Sequence, residues 1–324
     1  GLQALCAISN LRGGRVTPSD VAFQLAPRIN AAGRMGKEKL AIDLVLSANE
    51  KEANNLANEL NSINKARQKA DKALLDEISP RVEAMPRNDI AMFHADTWIP
   101  GILGLVAGRI ARRYHRPAVL ISFQNGATGK GSVRSIPGFD AYKALSHCCQ
   151  HLEEFGGHPM AAGFSVHRDH LDNFRRTFSE YWKEAVDHGL EIPSHIFESE
   201  VPLSGITANF VRNVMGQLEP YGEGNPRPLL GCQGVTVSNA RPMGDGSHYQ
   251  ADVEHEGTTL RAIAFDRGEW VHDTPPGTTI DILFHPTINR FRGNVELELV
   301  DIRAATTPNQ VAPTSPTKTE PSNR

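Results

Sequence analysis

The chain has 324 residues, 40% hydrophobic and 22% charged, with a formal net charge of −3. That is the balance of a globular protein of two or three domains, and no apolar run approaches the length of a membrane span. It excludes the overall basic excess that many nucleic-acid binders carry, so any such binding rests on local patches. Cys6, Cys148, Cys149 and Cys232 show neither zinc-site spacing nor a disulfide framework, which points to a reducing cytoplasm. With no secretory signal and Gly1 in first place, the sequence reads as a fragment or a processed chain.

Leu2, Leu5, Ile8 and Leu11 recur at three-residue spacing with no apolar partner nearby, as in the tail of a domain. Then comes Arg28-Ile29-Asn30-Ala31-Ala32-Gly33-Arg34, two arginines around an asparagine and small residues. Arginine presents a planar fork of donors suited to phosphate. A carboxylate partner for Arg28 and a solvated Arg34 would explain the same residues. A short helix is predicted over 39–48. A longer one follows over 50–78, with Ala53, Leu56, Ala57, Leu60, Ile63, Ala66, Ala70, Ala73, Leu74 and Ile78 on one stripe and Pro80 as its end. At 1.5 Å per residue it spans roughly 40 Å, enough to bridge two domains.

Strand, loop and helix are then predicted through Ile90–Phe93, Trp98 and residues 99–111, where Gly101, Gly104 and Gly108 allow tight packing or a backbone-lined anion site. Strands at 118–123 and 131–136, a helix over 140–154 ended by Phe155-Gly156, a strand at 161–166 and a helix at 169–185 complete an α/β domain. Alternation along 131–136 puts Ser132 and Arg134 on one face and Ser135 on the other. Past residue 192 the pattern becomes short strands punctuated by Gly and Pro, with one helix near 208–218, as in a small closed barrel of the OB type. Residues 306–324 lack the apolar content to bury a core and are expected to be disordered.

The stretch that organises the chain is Phe155-Gly156-Gly157-His158-Pro159-Met160-Ala161-Ala162-Gly163-Phe164-Ser165. Glycines allow close approach of backbone, and an imidazole can offer N–H to an anion. Gly129-Lys130-Gly131-Ser132-Val133-Arg134-Ser135-Ile136 precedes it, and Pro220-Tyr221-Gly222-Glu223-Gly224-Asn225-Pro226-Arg227-Pro228 follows, with Tyr221 read as structural. With the Arg28–Arg34 stretch, this ordered set resembles the RecJ family, single-strand-specific 5′-to-3′ DNA exonucleases of the DHH phosphoesterase superfamily. The resemblance runs to about residue 305.

The resemblance implies the C-terminal remnant of a DHH domain over 1–49, a connector helix over 50–80, a DHH-associated α/β domain over 81–190 and an OB-fold nucleic-acid-binding domain over 191–305. It implies metal-dependent phosphodiester hydrolysis with Mn²⁺ or Mg²⁺ in DNA repair and recombination. It also implies single-stranded DNA as partner, with a single-strand-binding protein or a helicase beside it and no membrane. His158 is then expected to face the scissile phosphate as the catalytic residue. Ser132, Arg134 and Ser135 are expected to hold neighbouring phosphates or sugars, with Arg28, Asn30 and Arg34 in the same groove and Gly156 and Gly157 giving backbone access. In the barrel, Arg290, Phe291 and Arg292 are expected to touch DNA, an aromatic between two cations. The family's Asp-His-His motif is absent, and neither His94-Ala95-Asp96 nor the solvated loop at His167–His170 replaces it. No metal ligands are therefore expected in this chain, and the chain alone is expected to be inactive. Two other readings remain: a non-catalytic single-strand-binding or assembly subunit, and a small DHH oligonucleotide phosphodiesterase. The barrel disfavours the latter, and it also disfavours an alanyl-tRNA synthetase tail.

Overall fold

The structure is a computed structural model that describes residues 1–11, 16–86, 89–124, 126–190, 195–289 and 292–305. It divides into two compact units, Gly1–Ser194 and His195–Arg324.

The first unit begins with short helices: α1 (Leu2–Ile8), α2 (Pro18–Asp20), which runs through a π turn at Val21–Leu25 into α3 (Ala26–Arg34), and α4 (Glu38–Leu46). Thr17 caps α2 with a complete capping box, its hydroxyl accepting from the Asp20 N–H. Leu5, Leu25, Leu44, Ala53 and Leu60 gather into one small core, which supplies the partner that Leu5 lacks in sequence. Helix α5 (Glu50–Glu83, 34 residues) is capped by Asn49 and runs past Pro80. Proline removes one donor but leaves its own carbonyl, which accepts from the Ala84 N–H, so the helix continues one turn beyond the predicted end.

A five-stranded sheet follows, made of β1 (Ala91–Ala95), β2 (Ala118–Ser122), β3 (Thr128–Arg134), β4 (Glu154–His158) and β5 (Ala161–His167), in the order β1-β2-β3-β5-β4. Only the β1–β2 pair is parallel. Helix α6 (Leu103–Tyr114) packs on β2 and β3. On the other face lie α7 (Ala141–His147) and α8 (Leu171–Asp187), with Phe164 of β5 stacked on Phe174 of α8. The helix predicted over 140–154 is shorter than expected. It stops at His147, and Phe155-Gly156, read as its terminator, belongs to edge strand β4.

In the second unit β6 (Ser199–Glu200), β7 (Leu230–Met243), β8 (His248–His255), β9 (Thr258–Ala264), a short α9 (Trp270–Asp273), β10 (Thr279–Ile288) and β11 (Val295–Ala304) form one sheet with its covering turn. The sheet closes because β7 pairs with β10 as well as β8. Val235, Val237, Tyr249, Val253, Ile282 and Phe284 fill the interior at alternate strand positions. The predicted helix near 208–218 is a π turn at Phe210–Val214 followed by a 3-10 turn at Met215–Leu218. The Tyr221 hydroxyl donates to Met215 O at 2.5 Å, which ties down the following loop.

Candidate nucleic-acid interface

Residues opposite one another in antiparallel strands point to the same face. Ala161 pairs with Arg134 on one side and with His158 on the other. Gly163 pairs likewise with Ser132 and Gly156, and Ser165 with Lys130 and Glu154. These rows lie on the α6 side of the sheet, where α6 covers β3 but leaves β4 open: Gly156, His158 and Gly163 are exposed. The result is a floor of Ala161, Gly163 and Gly156 between a guanidinium and an imidazole. At about 4.8 Å per strand, the backbones of Arg134 and His158 lie about 10 Å apart along the row.

The two glycines before His158 do different work. Gly157 has φ 145°, and a Cβ there would stand 2.5 Å from Ala161 O and from Ala162 Cα. Gly156 would meet nothing within 4 Å, so its missing side chain keeps the floor low. The His158 imidazole makes no hydrogen bond to a described residue and is free to meet a ligand.

Arg134 lies half-buried under the start of α6. Its Nη1 donates to Ser132 Oγ and to Val133 O, both at 2.8 Å. A Cβ on Gly104 would overlap its guanidinium, so this glycine makes room for the side chain, whereas a Cβ on Gly108 would stand in ordinary contact with its stem. Burial lowers the Arg134 pKa, and the like charge of Arg34 lowers it further. Arg34 reaches in from the end of α3, and its Nη1 donates to Gly101 O at 3.2 Å. A guanidinium whose charge is disfavoured by burial and by a like neighbour makes a place where an anion is favoured.

Two expected residues stand elsewhere. Ser135 is buried, and its hydroxyl donates to Phe139 O at 2.5 Å while its N–H donates to Met160 O, so it braces a turn away from the floor. Arg28 turns to α5, where its Nε donates to Asn61 Oδ1 at 3.0 Å, a neutral partner rather than a carboxylate. Asn30 is exposed on α3, one turn before Arg34. In the barrel, Arg290 and Phe291 lie outside the described residues, and Arg292 is exposed in a turn where its N–H donates to Asn289 Oδ1 at 3.0 Å.

Sequence reasoning missed a third row and a buried pair. Lys130 Nζ bonds Glu154 Oε1 at 2.5 Å and Ser165 Oγ at 2.8 Å, and Ser165 Oγ donates to Glu154 at 2.8 Å. This network closes the far end of the floor. Arg67 and Asp71 pair on α5 at 2.6 Å, and their signal was polar residues at helical spacing inside an apolar stripe. Among the described residues no group of three or more His, Cys, Asp or Glu could hold a metal ion.

Residues 88–184 match the DHHA1 domain family, and residues 197–301 match the RecJ OB domain. The single-stranded-DNA-specific exonuclease RecJ of Bacillus subtilis is 31% identical over 303 residues, covering 93% of this chain and 38% of that protein. Its Escherichia coli namesake is 30% identical over 312 residues, covering 93% of this chain and 53% of that one. The crystal structure of RecJ in complex with Mn²⁺ from Thermus thermophilus superposes with a TM-score of 0.76 at 30% identity, covering 94% of this chain and 44% of that chain. The chain thus spans about half, or less, of the length of the curated relatives it matches. With a DHHA1 domain followed by a RecJ OB domain, and RecJ exonucleases matched over 93% of its length, the chain belongs to the RecJ family.

Proposed function

We propose that this stretch holds single-stranded DNA for a 5′-to-3′ exonuclease of the RecJ kind. The observation that carries the reading is the row Arg134, Ala161, His158 on one sheet face, open at its β4 edge, with Arg34 beside Arg134. Arg134 and Arg34 bind a backbone phosphate with Ser132 adjacent, the glycine floor passes the chain, and His158 donates an N–H to the next phosphate. In this reading residues 81–190 are the DHH-associated domain, and the barrel of 191–305 guides the strand. A single-strand-binding protein or a helicase would present the DNA, in a cytoplasmic setting of repair and recombination.

Mn²⁺ is bound in the Thermus thermophilus relative, and a divalent ion would activate water and stabilise the leaving oxygen. The described residues offer no converging donor set that fits such an ion. What these residues do is bind and orient. Binding a substrate without stabilising its transition state does not speed the reaction. Incubated with a 5′-labelled single strand and excess Mn²⁺, the chain is therefore expected to bind the strand and leave it whole. Degradation from the 5′ end that a chelator abolishes would overturn this part of the reading. The binding part is tested by Arg134→Ala, which is expected to weaken capture of a 5′-phosphorylated oligonucleotide by about ten-fold, the usual worth of a charge-assisted contact.

A further inference from the structure

Polar side chains interrupt the buried stripe of α5. Between Leu60 and Leu74 the inward positions include Asn64, Arg67 and Asp71, while Ala66 and Ala73, placed on the stripe by spacing, face out. Asp71 is 1% exposed. Arg67 Nη1 donates to its Oδ2 at 2.6 Å, and Arg67 Nη2 donates to Asn64 Oδ1 at 2.9 Å. Asp71 Oδ1 and Arg67 Nε are buried and find no partner among the described groups.

Stability alone is a weak account of this pair. A buried ion pair replaced by apolar residues of the same volume is often neutral or stabilising, and unsatisfied buried atoms add cost. Its surroundings suggest another role. Helices α3 and α6 both pack on α5 and bring Arg34 and Arg109 into the field of Asp71. Burial pushes the Asp71 carboxyl up, while Arg67, Arg109 and Arg34 pull it down. Arg109 has no bond to a described group, and Arg34 reaches only the Gly101 carbonyl. The carboxylate thus bonds one guanidinium, Arg67, and two more, Arg109 on α6 and Arg34 on α3, lie within its field; Arg34 in turn acts on Arg134.

We propose that Asp71 is a positioning residue for the phosphate site: its buried carboxylate fixes Arg67 and keeps Arg34 and Arg109 gathered, so that Arg34 meets the phosphate together with Arg134. Asp71 itself touches no DNA. The proposal rests on the reading that Arg34 and Arg134 bind phosphate.

The test is the affinity of the chain for a 5′-phosphorylated single-stranded oligonucleotide, read by fluorescence anisotropy at fixed salt. Wild type, Asp71→Asn, Arg34→Ala, the double variant and Arg134→Ala are compared. Asp71→Asn is expected to weaken binding about ten-fold, and less than about two-fold once Arg34 is gone, the coupling of side chains in one network. Tighter binding would overturn the proposal, because Coulomb's law alone predicts it when a negative charge near an anion site is removed. Unchanged binding would overturn it too, as would equal weakening in both backgrounds, the mark of a merely structural role. If Asp71→Asn does not fold, Arg67→Lys takes its place. It keeps the charge but loses the fork, and it should show the same dependence on Arg34; without that dependence the proposal fails. Arg134→Ala separates the two readings. Wild-type affinity in that variant removes the phosphate site and the proposal with it, whereas weakening there with none in Asp71→Asn removes the proposal alone.

Discussion

Arg134 and His158 flank Ala161 in a single cross-strand row, 24 positions apart in sequence and on the same face of the sheet. The two differ in how firmly they are held. Arg134 is wedged beneath α6, whereas His158 is exposed and its imidazole unbonded to any described residue. His158→Ala is therefore expected to leave stability within about 0.5 kcal/mol of wild type while weakening oligonucleotide binding. Chemical denaturation and anisotropy on the same preparation check both halves.

Gly104→Ala should separate stability from binding in another way. The new methyl meets the far end of the Arg134 side chain rather than backbone, so the guanidinium moves and the fold persists. Helix propensity favours alanine by up to about 1 kcal/mol. The expected variant melts no lower than wild type yet binds a phosphorylated strand several-fold less well. A lowered melting temperature with full affinity would show that Arg134 is not displaced.

At the Gly-Gly pair the expected order is reversed between neighbours. Gly157→Ala forces a side chain onto φ 145° and against the β5 backbone, which is expected to cost about 2–4 kcal/mol in urea unfolding. Gly156→Ala has open space and should cost little, but its methyl rises from the floor. Replacing Gly156 with a bulky residue such as leucine should lower strand binding with the fold intact, and intact binding would remove the floor from the proposed path.

Two carboxyls should leave opposite marks on acid stability. Hydrogen bonds from Lys130 and Ser165, with the Lys130 charge, hold Glu154 below its ordinary range. Its contribution is present above the unfolded value of about 4.3 and is lost as pH falls through the lower folded value. Asp71 is raised by burial, so the folded state takes up its proton first and gains stability as pH falls through the folded value toward about 3.9. Urea midpoints between about pH 3 and 6 are expected to lose an acid-side decline in Glu154→Gln and an acid-side gain in Asp71→Asn.

For the barrel, Arg292→Ala should reduce the dependence of single-strand binding on salt. One phosphate contact fewer lowers the slope of log affinity against log salt by about 0.7 for a single strand. A titration of the variant that overlays the wild-type slope would remove Arg292 from the DNA path.

Much of this architecture was legible because it rests on period and punctuation. The alternation around Val133 fixed which of Ser132, Arg134 and Ser135 share a face, and branched residues marked β2 as a buried strand. The Gly-Gly-His stretch was harder. Its glycines read as a helix stop because strand propensity is low there, and only pairing with Ala161–Ser165 makes them an edge strand. Arg28 and Arg34 looked equivalent in sequence, yet their places on α3 send one to Asn61 and the other to Gly101. Asp71 was hidden in a stripe of alanines and lysines, where a carboxylate reads as solvated until burial is known.

Helix α5 carries one more consequence. Arg28 is tied to it at Asn61, the arginine cluster at Asp71, and the Trp98 indole at Glu77, all on one rod of about 51 Å by the usual rise. Those three anchor points are therefore phased like teeth on a camshaft. One residue inserted between Asn61 and Asn64 turns everything beyond it by about 100° and advances it by about 1.5 Å. Such an insertion leaves each fastening chemically intact but puts the first out of step with the other two, and the timing between the helical layer and the sheet is lost without the removal of a single contact residue.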